Sequence, residues 1–199
     1  YNTDIVSIEN REQRIAEIKK ENPFEASYYK FKQFLADKHL RLAKEELNKK
    51  GIELSGDFLS GNSHDEVWMR PKAFIQNAGM YWGFPALDLD SKEGQDFLKE
   101  KARLYAKRYD NIRIDAAWTY VNQPLKYNGS SVVNQRKYYG DKILKIIEAE
   151  IQAVKGENYK PENIMYEFIA NSEDFNAYDS NRNLNPILEK RIQIYCSNI

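Results

Sequence analysis

A long amphipathic helix followed by a short apolar strand is predicted three times along the chain, and this alternation limits the folds available to it. The predicted helices cover residues 26–50, 91–108 and 134–155, and the segments IELSGD, NIRID and ENIMYEF follow them as strands. Strands that alternate with helices pair in parallel, because each helix returns the chain to the same end of the sheet. We therefore expect an α/β fold with parallel strands.

The third predicted helix has the strongest apolar stripe. Its members are Tyr139, Ile143, Ile146, Ile147, Ile151 and Val154. Gly51 and Gly156 stand where the first and third helices are expected to end. We further expect a peripheral helix or loop over residues 1–23 and a fourth strand, RIQIYC, after the polar loop at 171–186. No linker divides the chain, so a single domain over residues 1–199 is predicted.

The balance of charge argues against some classes of partner. Lysine and arginine together number 30, and so do aspartate and glutamate, so the net charge is zero. Nucleic acids and anionic membranes both favour a basic excess, and we expect neither as a partner. Cys196 is the single cysteine, which excludes a disulfide within the chain and favours core packing. Without a signal-peptide pattern or a long apolar run, a cytoplasmic location is expected.

Each of the three predicted strands ends at a carboxylate, namely Asp57, Asp115 or Glu167. The carboxyl ends of parallel strands lie on one face, so the three acids should converge. Arg113 precedes Asp115 by two residues and shares its side of the strand, which predicts an ionised Asp115. The apolar segment at 164–166 predicts a raised pKa for Glu167. One ionised and one protonated carboxyl group is the arrangement that glycoside cleavage uses.

Other interpretations of these acids stay open at this point. Asp57 could serve only as a turn or helix-capping residue. Three clustered carboxylates could instead hold a divalent metal ion. Trp68, Trp82 and Trp118 follow candidate strands at turn-like segments, and their flat faces favour a sugar over a metal.

Three segments of the chain resemble a known family. These are KGIELSGDFLSGNSHDEVWMRPKAF, MYWGFPALDLD and YDNIRIDAAW. In order and approximate spacing they are similar to the amylomaltases, or 4-α-glucanotransferases, of the α-amylase clan. The resemblance implies part of a (β/α)8 TIM barrel, roughly its strands 3 to 6. It also implies action on α-1,4-glucans or maltooligosaccharides with retention of configuration, through a covalent glycosyl-enzyme and without a cofactor or metal.

The resemblance implies roles for individual residues. Asp115 takes the place of the nucleophile, Arg113 that of its arginine partner, and Glu167 that of the general acid/base. The implied substrate-binding residues are Asp57, His64, Asp65, Trp82 and Trp118, with Trp82 and Gly83 matching the family's Trp-Gly motif near the acceptor side.

The sequence also departs from the family pattern. Ala116 follows the nucleophile position, where the family usually has a histidine, and the acid's strand reads YEFIA. The family's third essential acid is expected beyond residue 199, so the remainder of the barrel is an expected partner. Two other functions stay open: a non-catalytic glucan-binding module on an incomplete barrel, and a metal-dependent hydrolase of an unrelated barrel family.

Overall fold

The computed structural model describes residues 10–80, 82–128, 130–137 and 142–167. Its helices are α1 (Arg11–Glu21), α2 (Pro23–Lys49), α3 (His64–Met69), α4 (Lys92–Arg108) and α5 (Lys142–Lys155). Its strands are β1 (Ser55–Phe58), β2 (Phe74–Met80), β3 (Pro85–Leu87), β4 (Asn111–Ile114), β5 (Asn122–Tyr127), β6 (Asn134–Lys137) and β7 (Ile164–Tyr166). Short 3-10 helices cover Pro71–Ala73, Ala117–Tyr120, Gly156–Asn158 and Pro161–Asn163.

Strands β1, β4 and β7 form a parallel sheet in that order. Asp57 pairs in register with Arg113 across β1 and β4, and Arg113 pairs with Met165 across β4 and β7. Helix α4 lies between β1 and β4 in the chain, and α5 lies between β4 and β7. The predicted alternation of helices with parallel strands is confirmed for these three strands. Within the described residues they form a three-stranded sheet, and the predicted fourth strand, RIQIYC, lies outside those residues.

Helices α4 and α5 pack on each other and bury the core against the parallel sheet. The Ser91 side chain caps α4 by accepting a hydrogen bond from the Gly94 N–H at 2.9 Å. Ile143, Ile147 and Ile151 of the predicted apolar stripe are fully buried. The hydrophobic periodicity therefore identified the faces that form the core.

The first predicted helix is present as α2, and a helix α1 precedes it as expected. Gly51 follows the end of α2 with a φ of 72°, a left-handed conformation that glycine adopts without strain. None of the described residues of α2 is buried, and its aromatic residues Phe31 and Phe34 are exposed. The helix itself was predicted correctly, whereas its apolar face lacks a partner within the described part of the chain.

The third predicted helix begins later than its sequence pattern suggested. We expected a helix from residue 134, but the described helix begins at Lys142, and residues 134–137 form strand β6. Gln123 and Arg136 lie opposite each other where β6 pairs with β5. Long-range pairing decided this segment, because its polar sequence has little apolar periodicity of its own. Gly156 ends the helix as predicted, with a φ of 54°.

A second sheet was not predicted from the sequence. It is antiparallel, with strand order β3-β2-β5-β6. Strands β2 and β3 lie between α3 and α4 in the chain, and β5 and β6 lie between β4 and α5. These strands are short, and Pro124 interrupts the pattern of β5, so their sequences resemble turns. None of the helices in the described ranges is long and apolar enough to cross a membrane.

We predict that Gly94→Ala destabilises the protein by about 1–3 kcal/mol, although alanine is the better helix former. A Cβ at this position would lie 1.9 Å from the Asp88 carbonyl oxygen, so the start of α4 must shift. The free energy of unfolding in urea measures the effect. The neighbouring Glu93→Ala should change it by less than about 1 kcal/mol. Equal effects for the two variants would contradict the predicted clash.

Candidate functional site

Three acids meet at the carboxyl end of the parallel sheet, as predicted. Asp57 lies in β1, while Asp115 and Glu167 directly follow β4 and β7. The Asp115 N–H donates to the Phe58 carbonyl, and the Glu167 N–H donates to the Ile114 carbonyl, both at 3.0 Å. These backbone bonds continue the pairing one residue beyond the strands, so the positions of the acids follow from the sheet itself.

Arg113 forms ion pairs with all three acids. Its Nη1 lies 2.5 Å from Asp57 Oδ1 and 3.4 Å from Asp115 Oδ1, and its Nη2 lies 2.7 Å from Glu167 Oε2. The Glu167 side chain is the least exposed of the acids, at 18%. Asp57 and Glu167 hold the guanidinium because they belong to the flanking strands, which leaves Asp115 at the longest distance.

Ala116, the residue after Asp115, has an uncommon backbone conformation and forms a hydrogen bond with Glu167. Its φ of 44° lies in the left-handed region, which a residue with a Cβ seldom occupies. Its N–H donates to Glu167 Oε2 at 3.1 Å, and the Ala117 N–H donates to the Glu167 carbonyl at 3.0 Å. Such strain is often found at functional sites. Only a weak feature of the sequence pointed to this turn, namely the two small residues, Ala116 and Ala117, that follow Asp115.

The pKa of Asp115 is raised to about 6, chiefly by burial and then by the hydrogen bond and negative charge of Glu167. The charge of Asp57 adds to the rise, and Arg113 opposes it. We expected Arg113 to favour the ionised form of Asp115, and it does act to lower this pKa, but the net shift is upward. The guanidinium contacts Asp57 and Glu167 more closely, so two negative neighbours and partial burial outweigh it.

The pKa of Glu167 is lowered, in contrast to its predicted rise. Burial acts to raise it, but the hydrogen bonds from Asp115 and the Ala116 N–H, together with Arg113, outweigh burial. The carboxyl group contacts the Arg113 guanidinium and the Ala116 N–H, and these polar contacts were not evident from the apolar residues that precede it in β7. The two shifts are opposite, so a proton that the pair shares favours Asp115 over Glu167.

The metal interpretation finds little support in this arrangement. Arg113 lies between the three carboxylates, at the position where a bridging cation would be needed. Within residues 10–80, 82–128, 130–137 and 142–167, no group of three or more His, Cys, Asp or Glu side chains is arranged to hold a metal ion.

Two of the three tryptophans contact each other beside the acids. The rings of Trp82 and Trp118 lie 5.7 Å apart between centroids, with an interplanar angle of 65°. Trp118 belongs to the 3-10 helix Ala117–Tyr120, just after Asp115, and Trp82 is 49% exposed. Trp68 instead lies on α3, where its indole nitrogen is buried without a hydrogen-bond partner among the described residues.

His64 and Asp65 lie apart from this cluster. They form the first turn of α3, whose N-cap is Ser63, and both are exposed. No hydrogen bond or ion pair in the described ranges connects either of them to Asp57, Asp115 or Glu167. His64 contributes instead to a groove of about 360 Å³ on the antiparallel sheet.

A sequence profile described as 4-alpha-glucanotransferase, glycoside hydrolase family 77, matches residues 3–158. The chain belongs to this family. This confirms the family that the sequence motifs indicated, and the match includes Asp57, Arg113 and Asp115. Glu167 lies beyond the matched range. A comparison with curated protein sequences gives no significant match.

Two solved structures show the same fold. Amylomaltase from Streptococcus agalactiae in complex with acarbose superimposes with a TM-score of 0.67 and 20% identity, covering 92% of this chain and 38% of that chain. Amylomaltase from Corynebacterium glutamicum gives a TM-score of 0.57 and 12% identity, covering 70% of this chain and 25% of that chain. The chain therefore spans well under half the length of either protein.

We predict that Glu167→Gln lowers the pKa of Asp115 below its value of about 6, because the variant removes one of the two negative neighbours. The carboxyl carbon chemical shift of Asp115, followed against pH, measures this value. Burial remains as the largest cause, so the fall should be partial. Glu150→Gln, in an ion pair with Arg103 on the outer helices, is the control and should leave the titration unchanged.

Proposed function

We propose that this chain carries the nucleophile and the acid/base of a retaining α-1,4-glucan transferase that acts as a 4-α-glucanotransferase on maltooligosaccharides. The observation that carries the proposal is the hydrogen-bonded pair of Asp115 and Glu167, which Arg113 joins at the carboxyl end of a parallel sheet. Membership of the 4-alpha-glucanotransferase family supports the substrate class.

The spacing of the two carboxyl groups favours retention of configuration. Inverting pairs stand about 6.5–9.5 Å apart to admit a water molecule, and retaining pairs stand about 5–5.5 Å apart. Asp115 and Glu167 contact the same Arg113 guanidinium, at 3.4 and 2.7 Å, and each affects the pKa of the other, as a closely spaced pair does.

In the proposed reaction, an Asp115 oxygen attacks the anomeric carbon while Glu167 protonates the departing glycosidic oxygen. The glycosidic bond breaks as the glycosyl ester of Asp115 forms. An acceptor hydroxyl then attacks the same carbon, its proton passes to Glu167, and the ester bond breaks. Arg113 orients the two carboxyl groups throughout, and Asp57 holds Arg113 from the neighbouring strand.

Substrate entry accounts for the proton that Glu167 needs. The shared proton favours Asp115, which must instead be ionised for attack. A sugar between the two groups breaks the hydrogen bond that lowers the pKa of Glu167. The proton can then move to Glu167 and leave Asp115 ionised as the nucleophile.

We propose that residues 1–199 are one segment of a larger (β/α)8 barrel. The three described parallel strands and the partial coverage of the amylomaltase structures support this proposal. The remaining strands of the barrel would then complete the cleft. Trp82 and Trp118 would form an aromatic surface for the acceptor sugar beside Asp115, with His64 and Asp65 contacting more distant sugar units.

We expect the protein to convert maltotriose into glucose and longer maltooligosaccharides, which chromatography of the products detects. Asp115→Asn should lower the rate by roughly 10³–10⁶-fold, because it removes the nucleophile. Glu150→Gln should leave the rate unchanged, since this residue lies on the outer helices. Product formation by Asp115→Asn at the wild-type rate would contradict the assigned role.

A non-catalytic glucan-binding module is the second candidate function. The YEFIA segment at Glu167 favours it, because this departure from the family pattern falls at the position of the acid/base. Titration with acarbose separates the two functions. Wild-type affinity in Asp115→Asn, together with unchanged maltotriose in both proteins, would support the binding module over the transferase.

We predict that kcat/KM falls about tenfold per pH unit above about pH 6. The reactive form holds one proton on the Asp115–Glu167 pair, and the pair loses this proton as the pH rises through the raised pKa of Asp115. Initial rates of maltotriose conversion between pH 4 and pH 9 measure the profile. A rate that climbs steadily towards pH 8 would contradict the shared proton.

A further inference from the structure

Lys101 is a lysine of α4 whose amine contacts the loop that follows β1. Its Nζ lies 2.7 Å from the Leu59 carbonyl oxygen, 3.4 Å from that of Gly61 and 3.3 Å from Asn62 Oδ1. It also lies 5.2 Å from the centroid of the Phe58 ring. Three oxygens match the three N–H donors of an ammonium group. Lys101 therefore fixes the segment between Asp57 and α3.

This loop packs against the turn that carries Trp82. A Cβ at Gly61 would lie 2.9 Å from the Phe84 ring, so the loop approaches that ring as closely as a glycine allows. The Phe84 carbonyl accepts from the Met80 N–H at 2.6 Å, and the Gly83 N–H donates to the Met80 carbonyl at 2.8 Å. The position of Phe84 therefore sets the position of the turn.

A small cavity connects Lys101 to both segments that carry the paired tryptophans. Its volume of about 10 Å³ is near the lower limit for one water molecule. Lys101 lines it together with Met80, the last residue of β2 before the Trp82 turn, and Thr119, which follows Trp118 in the chain. The Thr119 hydroxyl also donates to the Ala116 carbonyl at 2.9 Å. This hydrogen bond links the lining of the cavity to the turn after Asp115.

We propose that Lys101 is a positioning residue that holds the Trp82 turn against Trp118, and that it thereby sets the affinity for the acceptor sugar. The part concerning the sugar rests on the proposed glucan transfer. The part concerning the tryptophans does not, because it follows from the contacts of Lys101, Gly61 and Phe84, the shared cavity and the Trp82–Trp118 contact.

The contacts of Lys101 with the loop after β1 should weaken at alkaline pH. Burial lowers the pKa of Lys101 to about 8, with the charge of Glu66 on α3 opposing the shift. Loss of this proton removes one N–H donor and the positive charge over Phe58. Tyr120 lines the same cavity, and Tyr105 packs on Phe58, but burial raises the pKa of both phenols, so neither loses its proton near pH 8.

The first test follows the tryptophans directly. In a Trp68→Phe background, acrylamide quenching and near-UV circular dichroism report on Trp82 and Trp118. Lys101→Met should increase the quenching and weaken the near-UV signal while the far-UV spectrum is kept. Lys101→Arg should retain most of the wild-type signal, because it keeps the charge and the donors. Lys107→Met, at an exposed position on the same helix, is the matched control and should change nothing.

Gly61→Ala provides a second variant should Lys101→Met fail to fold. It moves Phe84 while Lys101 stays intact, and the same change in the tryptophan signals is expected. The proposal would be overturned if Lys101→Met kept the wild-type tryptophan signals. If only Gly61→Ala folds, wild-type signals in that variant would overturn it.

The second test measures KM and kcat for the conversion of maltotriose. Lys101→Met should raise KM for the acceptor sugar by roughly tenfold to a hundredfold, with a smaller change in kcat. KM of the wild type should rise above about pH 8, and KM of Lys101→Arg should stay flat there. Altered tryptophan signals with unchanged KM would overturn the link to the acceptor. Altered signals in a protein that never converts maltotriose would support the positioning role and contradict the glucan transfer instead.

Discussion

The ion pairs of Arg113 with three carboxylates are the interaction on which the candidate site depends. Asp57, Asp115 and Glu167 come from three adjacent parallel strands, so their negative charges would repel one another at the sheet edge. The guanidinium reaches all three and offsets part of this repulsion. Since its nearest partners lie on the flanking strands, it joins β1 and β7 to β4 at the place where the chemistry is proposed.

One positive charge is insufficient for three carboxylates, and the excess negative charge has a chemical use. Burial is the largest cause of the raised pKa of Asp115, and the negative charges of Glu167 and Asp57 add to it, which lets Asp115 and Glu167 share a proton. A proton held between two carboxyl groups is available to either of them. Proposed transfer to a sugar requires this exchange, because the nucleophile must be ionised when the acid is protonated.

The antiparallel sheet and α4 position the aromatic residues beside the acids of the parallel sheet. The turn between β2 and β3 carries Trp82 to Trp118, next to the acids. Lys101 reaches from α4 to the loop after β1, which supports that turn through Gly61 and Phe84. An aromatic surface beside the acids therefore depends on elements that are distant in the sequence and meet only through packing.

The sequence by itself determined the helix–strand alternation, the ends of helices at Gly51 and Gly156, and the meeting of Asp57, Asp115 and Glu167. These features follow from local periodicity and from the geometry of parallel strands, which a chain encodes residue by residue. Only the tertiary structure decided the antiparallel sheet, the strand at 134–137, and the directions of the pKa shifts at Asp115 and Glu167. Strand pairing and pKa values depend on neighbours far along the chain, so local patterns could predict neither.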